Sequence, residues 1–476
     1  MRQPYSFLFV HNDEQSVPNP IMRGEVLNMR LKRKSTPQLK TRTAFMASLL
    51  LVAFVGAFVH WNIHAADSTA LSLTGIAPVS AHPPAPLAAS QEPIQWPTAP
   101  ALTLEQQTTL ADKVMAMSLS DKVGQLIIAG LDGELPDAAT RAIINNREAG
   151  GFILFRSNME SVSSTVSLTN RLKELNRRAG GEPLFLAVDE EGGRVSRLPS
   201  SVDKLPSSGE VGKNGSEAYA RAAGEQLAKR VKAFGFNVNF APVLDVNSNP
   251  DNPVIGDRSF GSSPSLVAKL GIAELEAHKN NGVLGVVKHF PGHGDTAVDS
   301  HLELPVLDNG MSRLKQLELP PFEAAIDNGA EAVMVAHILL PKLDPDAPAS
   351  LSKPIISGLL RDKLGFDGLV ISDDLTMGAI NDNYHLGDAA VRFILAGGDV
   401  ALVCHGSDKI SLVYDSLKKA VSRGTISTQR LNESVYRVLA LKTVYKLADQ
   451  PIPVPAIEQL NKQMEAALAP YRTDTP

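Results

Sequence analysis

Residues 288–301 read KHFPGHGDTAVDSH, a segment that combines three histidines, two aspartates and one lysine. The run VLGVV at 283–287 precedes it and is typical of a buried strand, because it is short, apolar and rich in β-branched residues. Pro291, Gly292 and Gly294 then favour a tight loop. A single histidine beside a strand is usually structural. Several titratable groups on a loop at the carboxyl end of a strand are instead typical of an α/β-barrel active site.

Short apolar runs alternate with amphipathic stretches on both sides of this segment. The eight runs lie at 125–129, 151–155, 184–188, 237–242, 284–287, 332–335, 369–371 and 400–403. The stretches with helical spacing lie at 161–178, 216–234, 263–280, 311–328, 355–364 and 388–396. This alternation predicts an α/β fold, a (β/α)₈ TIM-type barrel with right-handed crossovers. An open doubly wound sheet is the alternative, but no glycine-rich dinucleotide loop follows the first run.

Composition limits the classes of function that the chain can have. The 476 residues are 43% hydrophobic and 20% charged, as in an ordinary globular protein. The formal net charge of -5 provides no global basic field, so we expect no nucleic-acid partner. The single cysteine, Cys404, excludes an internal disulfide framework. We expect a monomer with one catalytic domain at 102–450, followed by a C-terminal helix and tail at 451–476.

Three segments precede the predicted catalytic domain. Residues 1–43 are basic, and we expect them to be disordered. Residues 44–65 begin with the uncharged sequence AFMASLLLVAFVGAFVHWNI, which is close to the roughly 20 residues that span a bilayer. Residues 66–101 are rich in Ala, Pro and Ser and predict an extended, semi-rigid linker. The basic flank precedes the apolar segment, so we expect the N-terminus to stay inside and the remainder to be exported.

The apolar segment permits two kinds of export signal. Ala65-Ala66 offers a weak cleavage site for a signal peptide, and an uncleaved transmembrane anchor is the alternative. A buried core helix fits the flanking composition poorly. Met29 is a possible later start of the chain. Both signals predict a periplasmic, membrane-anchored or secreted domain in a bacterium, with membrane contact only through the N-terminal segment.

Polar residues also follow several of the other apolar runs. They are Asp189, Glu190, Glu191, Arg194 and Arg197 after the third run, Asp245 and the loop 256–261 after the fourth, His337 after the sixth, and Ser372, Asp373 and Asp374 after the seventh. The carboxyl ends of barrel strands meet on one face, so we expect these side chains to share one rim. A rim of carboxylates, histidines and cations suits a ligand with many hydroxyl groups.

Two reaction classes fit these residues. Metal-dependent hydrolysis would use histidines and aspartates as ligands. However, the chain has no HExxH motif, and the glycines and proline between the histidines favour a shaped loop over a rigid ligand pair. Glycoside hydrolysis needs a carboxylate nucleophile and a separate acid/base. Asp373 or Asp374 would supply the nucleophile, and His301 held by Asp299 would supply the acid/base.

Three motifs together resemble a known family. The segment 288–301, with DEEGGRVSR at 189–197 and ISDDLTMGAI at 371–380, is similar to the family 3 glycoside hydrolases, and within them to the β-N-acetylglucosaminidase (β-hexosaminidase) branch. The resemblance extends over roughly residues 102–447 and is highly specific. It implies that Asp373 forms the glycosyl-enzyme, that His301 is the acid/base and that Asp299 orients it.

The same resemblance implies roles for residues that hold the sugar. The positions that match hydroxyl- and N-acetyl-binding residues are Asp189, Arg197, Arg258, Lys288 and His289. His293 and Asp295 are expected to shape the loop. The family more often has Gln where this chain has Glu190. Its β-glucosidases usually carry Ser-Asp-Trp at the nucleophile and take their acid/base from a second domain, whereas this chain has Asp374 in place of the tryptophan.

The resemblance therefore implies a retaining exo-β-N-acetylglucosaminidase that needs no metal or other cofactor. Its expected substrates are peptidoglycan fragments or chitooligosaccharides with a terminal β-linked GlcNAc. A family 3 β-glucosidase or xylosidase and a metal-dependent barrel hydrolase are the alternatives. The sequence leaves open whether water or phosphate accepts the sugar.

Overall fold

The computed structural model describes residues 96–99 and 101–472. The apolar runs form parallel strands, with bounds close to those predicted. They are β1 (Ile127–Ala129), β2 (Gly151–Ile153), β3 (Phe185–Val188), β4 (Val238–Asn239), β5 (Leu284–Gly285), β6 (Val287–Phe290), β7 (Ala332–Val335), β8 (Leu369–Asp374) and β9 (Val400–Val403). The order in the sheet is β5-β4-β3-β2-β1-β9-β8-β7-β6. Neighbouring strands of the sheet pair in parallel.

The two edge strands of this order are consecutive in the chain. Only Val286 separates β5, which pairs with β4, from β6, which pairs with β7. A further parallel bridge joins Val243 to Lys288. The run predicted as one strand is thus two short strands, because the chain changes partners there and its pairing with β7 contains a bulge. The result is a nearly closed parallel barrel, which confirms the predicted fold class.

Helices cross between the strands. They are α1 (Leu104–Ala116), α2 (Leu119–Gly124), α3 (Ala138–Asn145), α4 (Val162–Ala179), α5 (Ser208–Asn214), α6 (Glu217–Ala233), α7 (Pro264–Asn280), α8 (Met311–Gln316), α9 (Pro320–Asp327), α10 (Gly378–Asn381), α11 (Leu386–Ala396), α12 (Ser407–Ser422), α13 (Thr428–Val444) and α14 (Ile457–Leu468). The stretch Pro354–Lys363 is a π-helix. The predicted helix at 311–328 is divided into α8 and α9, since proline lacks the N–H that would continue a helix and Pro320 begins α9.

The strands separate two apolar cores. In β3, Phe185 and Ala187 point into the barrel, whereas Leu186 and Val188 pack against the helices. This alternation follows from the two-residue period of a strand, and burial on both faces explains why the runs are continuously apolar. Because the interior is filled with side chains, a ligand has to bind outside it, and in barrels of this kind ligands bind above the carboxyl ends of the strands.

The opposite face of the barrel is fixed by buried ion pairs. Asp399, which directly precedes β9, contacts three arginines, Arg361, Arg430 and Arg437. Arg437 also pairs with Asp367, which accepts a hydrogen bond from the Thr98 N–H. The first described residues of the chain are therefore attached at the amino-terminal face of the barrel.

The predictions for residues 1–43 and 44–65, and most of the predicted linker at 66–101, lie outside the described residues. Among the residues that the structure does describe, none of the helices combines the length and the hydropathy needed to cross a bilayer.

Candidate active site

A cavity of about 490 Å³ lies at the carboxyl ends of the strands. Its walls include every residue that the sequence singled out for catalysis or binding, namely Asp189, Arg197, Arg258, Lys288, His289, Asp299, His301 and Asp373. These residues come from the segments after β3 and β4, from β6 and its following loop, and from β8. The expectation that the strand ends would bring them together agrees with this geometry.

The two adjacent carboxylates at the end of β8 have different surroundings. Asp374 accepts hydrogen bonds from Thr376 Oγ1 at 2.7 and 2.8 Å, from the Thr376 N–H at 2.9 Å and from the Cys404 N–H at 3.0 Å. Within the described chain, Asp373 accepts only the Asp374 N–H, at 2.8 Å on Oδ1. Asp374 is therefore committed to holding the turn after β8, and an oxygen of Asp373 is available to a ligand.

The surroundings of Asp373 favour its ionised form. Burial acts to raise the pKa of this carboxyl. His337, His289 and the Asp374 N–H act in the opposite direction and bring the pKa down to about 2. Asp373 is consequently a carboxylate throughout the neutral range, as a nucleophile requires.

His301 and Asp299 form a hydrogen-bonded pair at the mouth of the cavity. His301 Nδ1 lies 2.8 Å from Asp299 Oδ1, and the His301 backbone N–H donates to the same oxygen at 2.8 Å. Burial acts to raise the pKa of Asp299, but these contacts with His301 outweigh it and lower the pKa below its usual value. The carboxylate thus holds a proton on Nδ1, which leaves Nε2 to exchange a proton with a ligand.

The loop that carries His301 is fastened on two sides. Ser300 Oγ lies 3.1 Å from His293 Nε2. The carbonyl oxygens of Ser300 and His301 accept hydrogen bonds from the first two N–H groups of α10, those of Ala379 at 3.3 Å and Gly378 at 3.2 Å. Since α10 begins four residues after the end of β8, these two hydrogen bonds connect the loop of the candidate acid/base to the strand of the candidate nucleophile.

A buried cluster of ion pairs forms another wall. Lys288 Nζ lies 2.6 Å from Asp189 Oδ1 and 2.6 Å from Glu191 Oε1. Arg258 binds Glu191 with two parallel hydrogen bonds of 2.8 Å. Burial acts to raise the pKa of Glu191, but Arg258 and Lys288 outweigh it and hold the pKa well below its usual range. Sequence analysis placed Glu191 on the rim but did not predict these partners, two sugar-binding cations that Glu191 orients.

Asp245 is the second residue whose role the sequence missed. Its Oδ2 lies 2.6 Å from His289 Nδ1, and its Oδ1 accepts the N–H groups of His293 at 2.7 Å and His289 at 3.2 Å. Asp245 therefore fixes the ring of His289 and the backbone of the following loop. The presence of an aspartate after the fourth apolar run was the available signal, but its partners lie more than forty residues away.

His293 lies beneath the loop and does not present a free ring to the cavity. Its Nδ1 is 2.8 Å from Thr296 Oγ1, and burial lowers its pKa to about 4. Asp295 contacts Ser248, Asn309 and Arg313 on the outer side of the loop. Both arrangements are consistent with the expected loop-shaping roles.

Arg197 and Glu190 differ in how they meet the cavity. Arg197 Nε is buried without a hydrogen-bond partner in the described chain, so its guanidinium has capacity for a ligand. Glu190 instead accepts the Ser196 hydroxyl at 2.7 Å and the N–H groups of Arg197 at 2.8 Å and Leu198 at 3.3 Å. Its charge is used to hold the loop after β3, and burial raises its pKa.

Several histidines of the site have both ring nitrogens in contact with hydroxyl or backbone groups. His337, for example, contacts Ser350 Oγ through Nδ1 and the Asp374 carbonyl through Nε2. Across residues 96–99 and 101–472, no group of three or more His, Cys, Asp or Glu side chains is arranged to hold a metal ion.

Comparisons with known proteins agree with this geometry. The chain is 36% identical over 340 residues to beta-hexosaminidase LpqI of Mycobacterium tuberculosis, covering 68% of this chain and 83% of that protein. It is 36% identical over 324 residues to beta-hexosaminidase A of Pseudoalteromonas piscicida, where the match covers 63% of this chain and spans only 54% of the relative. A solved family 3 beta-N-acetylglucosaminidase from Paenibacillus sp. str. FPU-7 has a TM-score of 0.71 and 39% identity, covering 74% of this chain and 68% of that one. Residues 118–441 match the glycosyl hydrolase family 3 N terminal domain. The chain therefore belongs to glycosyl hydrolase family 3.

Proposed function

We propose that this protein is a retaining exo-β-N-acetylglucosaminidase. Family membership supports a glycoside hydrolase, and relatives named beta-hexosaminidase support the choice of a β-linked amino sugar. The observation that carries the proposal is the pairing, in one cavity, of an ionised Asp373 that has a free oxygen with a histidine held by Asp299. A nucleophile and a separate acid/base are what a two-step, retaining mechanism needs.

In the first step, Asp373 attacks the anomeric carbon while the bond to the leaving oxygen breaks. His301 donates its Nε2 proton to that oxygen, and the products are a free aglycone and a glycosyl ester on Asp373. In the second step, His301 removes a proton from water, and the resulting oxygen displaces Asp373 from the anomeric carbon. Two inversions give net retention, and both residues return to their starting states.

The wall opposite the nucleophile is suited to sugar hydroxyls. Asp189 offers carboxylate oxygens, whereas Lys288, Arg258 and Arg197 offer donors whose directions are fixed by their ion pairs or by burial. Fixed donors and acceptors select a ligand through its pattern of hydroxyl and amide groups. Because this cluster closes one side of the cavity, we propose that only a terminal sugar is accepted.

The choice of sugar is tested by comparing chromophore release from aryl β-GlcNAc and aryl β-glucoside. We expect kcat/KM for the GlcNAc substrate to be higher by roughly 10² or more, since sites built to bind a polar group reject analogues that lack it. Asp373→Asn provides the background rate. Equal or faster cleavage of the glucoside would favour the β-glucosidase alternative, and loss of activity with a chelator would favour the metal-dependent one.

We further propose that the catalytic domain is exported and acts as a monomer on peptidoglycan fragments or chitooligosaccharides. The composition of residues 30–101 supports export, and the described site is built from residues of one chain. Alkaline phosphatase fused after Ala101 should be active, because that enzyme needs an oxidising compartment. A stable but inactive fusion would contradict export.

A further inference from the structure

Two aromatic rings that line the cavity stack on each other. Phe155 follows β2 and His405 follows β9, and their ring centroids are 5.2 Å apart with an interplanar angle of 29°. Both line the same cavity as Asp373 and His301. Neither has a part in the two-step mechanism described above.

The loops that carry the two rings are both fastened to the loop after β1. Asn158 accepts the Phe155 N–H at 2.8 Å and donates to the carbonyl oxygens of Leu131 at 2.9 Å and Gly133 at 2.8 Å. The Gly406 N–H donates to Asp132 Oδ1 at 3.2 Å. The backbone at each ring is therefore held in place without a ligand, which lowers the entropic cost of binding one.

A purely structural role explains the position of Phe155 but not that of His405. Phe155 is partly buried and packs against the core inside the barrel, together with Ile153. His405 is exposed, and its ring makes no hydrogen bond to any residue in the described ranges. An exposed ring stacked on a phenyl group presents an apolar face with a polar edge to whatever occupies the mouth of the cavity.

The position of the pair around the barrel indicates which part of a substrate it would meet. The predicted hydroxyl-binding residues lie on the β3–β6 side, and the nucleophile lies at the end of β8. A sugar with its anomeric carbon at Asp373 and its hydroxyls at the ion-pair cluster directs its glycosidic bond away from that cluster. In the order of the sheet, β9 is next to β8, so His405 follows the strand beside that of the nucleophile. The helix after β8 also holds the loop of His301, which protonates the leaving oxygen. Phe155 follows β2, which borders β3, and it stacks on His405.

We propose that Phe155 and His405 form a platform for the first sugar ring of the aglycone. The C–H face of a pyranose would lie on the aromatic pair, and the imidazole edge would hydrogen-bond a ring hydroxyl. This assigns a specificity role to two residues and makes glycosides with a pyranose aglycone the preferred substrate class. The inference rests on the proposed function, because it places the leaving group by reference to Asp373.

The experiment compares two substrates that share the donor sugar and differ in the aglycone. N,N′-diacetylchitobiose has a pyranose aglycone, whereas GlcNAc β-fluoride has none. Phe155→Leu and His405→Ala should each lower kcat/KM for the disaccharide about tenfold, which corresponds to about 1.4 kcal/mol. The same variants should leave kcat/KM for the fluoride within about twofold. His385→Ala, an exposed histidine at the N-cap of α11, is the matched control and should change neither value.

Each outcome decides the inference. A loss confined to the disaccharide supports the platform, whereas an equal loss on both substrates, or no loss on either, overturns it. If the wild-type enzyme cleaves β-glucosyl fluoride but not GlcNAc β-fluoride, the proposed function is wrong. In that case kcat/KM is measured with cellobiose and with β-glucosyl fluoride instead. The Phe155 and His405 variants are then judged by the same criteria.

Discussion

Neighbouring carboxylates in one sequence motif have different chemical capacities because of what surrounds each of them. The carboxylate of Asp374 accepts hydrogen bonds from Thr376 and from the Cys404 N–H. Asp373 instead keeps an oxygen for a ligand and has a pKa of about 2. The sequence left either aspartate open as the nucleophile, and the family resemblance selected Asp373. The hydrogen bonds now support the same choice on physical grounds.

The acid/base assignment predicts a dependence on the leaving group. His301→Ala should lower kcat/KM by roughly 10²–10⁴ for glycosides with poor leaving groups, because these need a proton as the bond breaks. Activated dinitrophenyl glycosides should be affected far less in the glycosylation step. The measurement is a series of aryl β-GlcNAc substrates of graded leaving-group pKa, and a uniform loss across the series would rule out the role.

The sequence could identify a site residue when its partner lies close to it in the chain. Asp299 and His301 are two positions apart, so their pairing could be predicted from the chain itself. Glu191 meets Arg258 across 67 positions, and Asp245 meets His289 across 44. Only the closed barrel brings such partners together, so their supporting roles, and the stacking of Phe155 on His405, could not be derived from spacing.

At the scale of elements, the contact between α10 and the loop that carries His301 requires a glycine. A Cβ at Gly378 would lie 2.6 Å from the Leu302 carbonyl oxygen and 2.9 Å from that of His301. Gly378→Ala should therefore displace the loop and reduce kcat about tenfold or more, since misplacing a reacting group by about 1 Å can cost roughly 10² in rate. Turnover of aryl β-GlcNAc measures the effect.

Gly310→Ala is the matched control for this variant. Gly310 precedes α8, and an added Cβ there would meet only the flexible side chain of Lys342, at 3.5 Å. It should keep wild-type turnover. Full activity of Gly378→Ala would show that the loop does not depend on α10 for its position.

Element types were predictable where the signal is local, whereas an interruption that arises from closure of the barrel was not. The apolar runs predict the strands because burial on both faces requires continuous apolar sequence. The break at Val286 follows from closure of the barrel, in which one run serves two neighbours, and no residue near it signals that event. Pro320 did signal the division of the helix predicted at 311–328, and its missing N–H is the reason for it.

At the scale of the whole molecule, the amino-terminal face of the barrel contains a buried lysine. Lys442 donates to Gln125 Oε1 at 2.7 Å and to the Gly150 carbonyl at 2.9 Å, and no carboxylate of the described residues pairs with it. Burial lowers its pKa from 10.5 to about 7. Between these two values the unfolded chain binds a proton that the folded protein does not, so the free energy of unfolding should rise from pH 7 to pH 10.

This linkage is measured by comparing the wild-type protein with Lys442→Met in urea between pH 7 and pH 10. The free energy of unfolding of the wild type, relative to the variant, should increase on the order of 4 kcal/mol across this range. The exposed Lys462→Met is the control and should show no such trend. A difference that is constant with pH would mean that Lys442 stays protonated in the folded state.

The central claim is that Asp373 forms the covalent glycosyl-enzyme, and trapping that ester tests it most directly. The protein is treated with a slow 5-fluoro-GlcNAc substrate, digested with protease, and its labelled peptide is sequenced by mass spectrometry. We predict a single adduct on Asp373, no adduct in Asp373→Ala, and an unchanged adduct in Asp374→Asn. A label on Asp374, or strong inhibition by an oxazoline mimic with no covalent adduct, would contradict the claim.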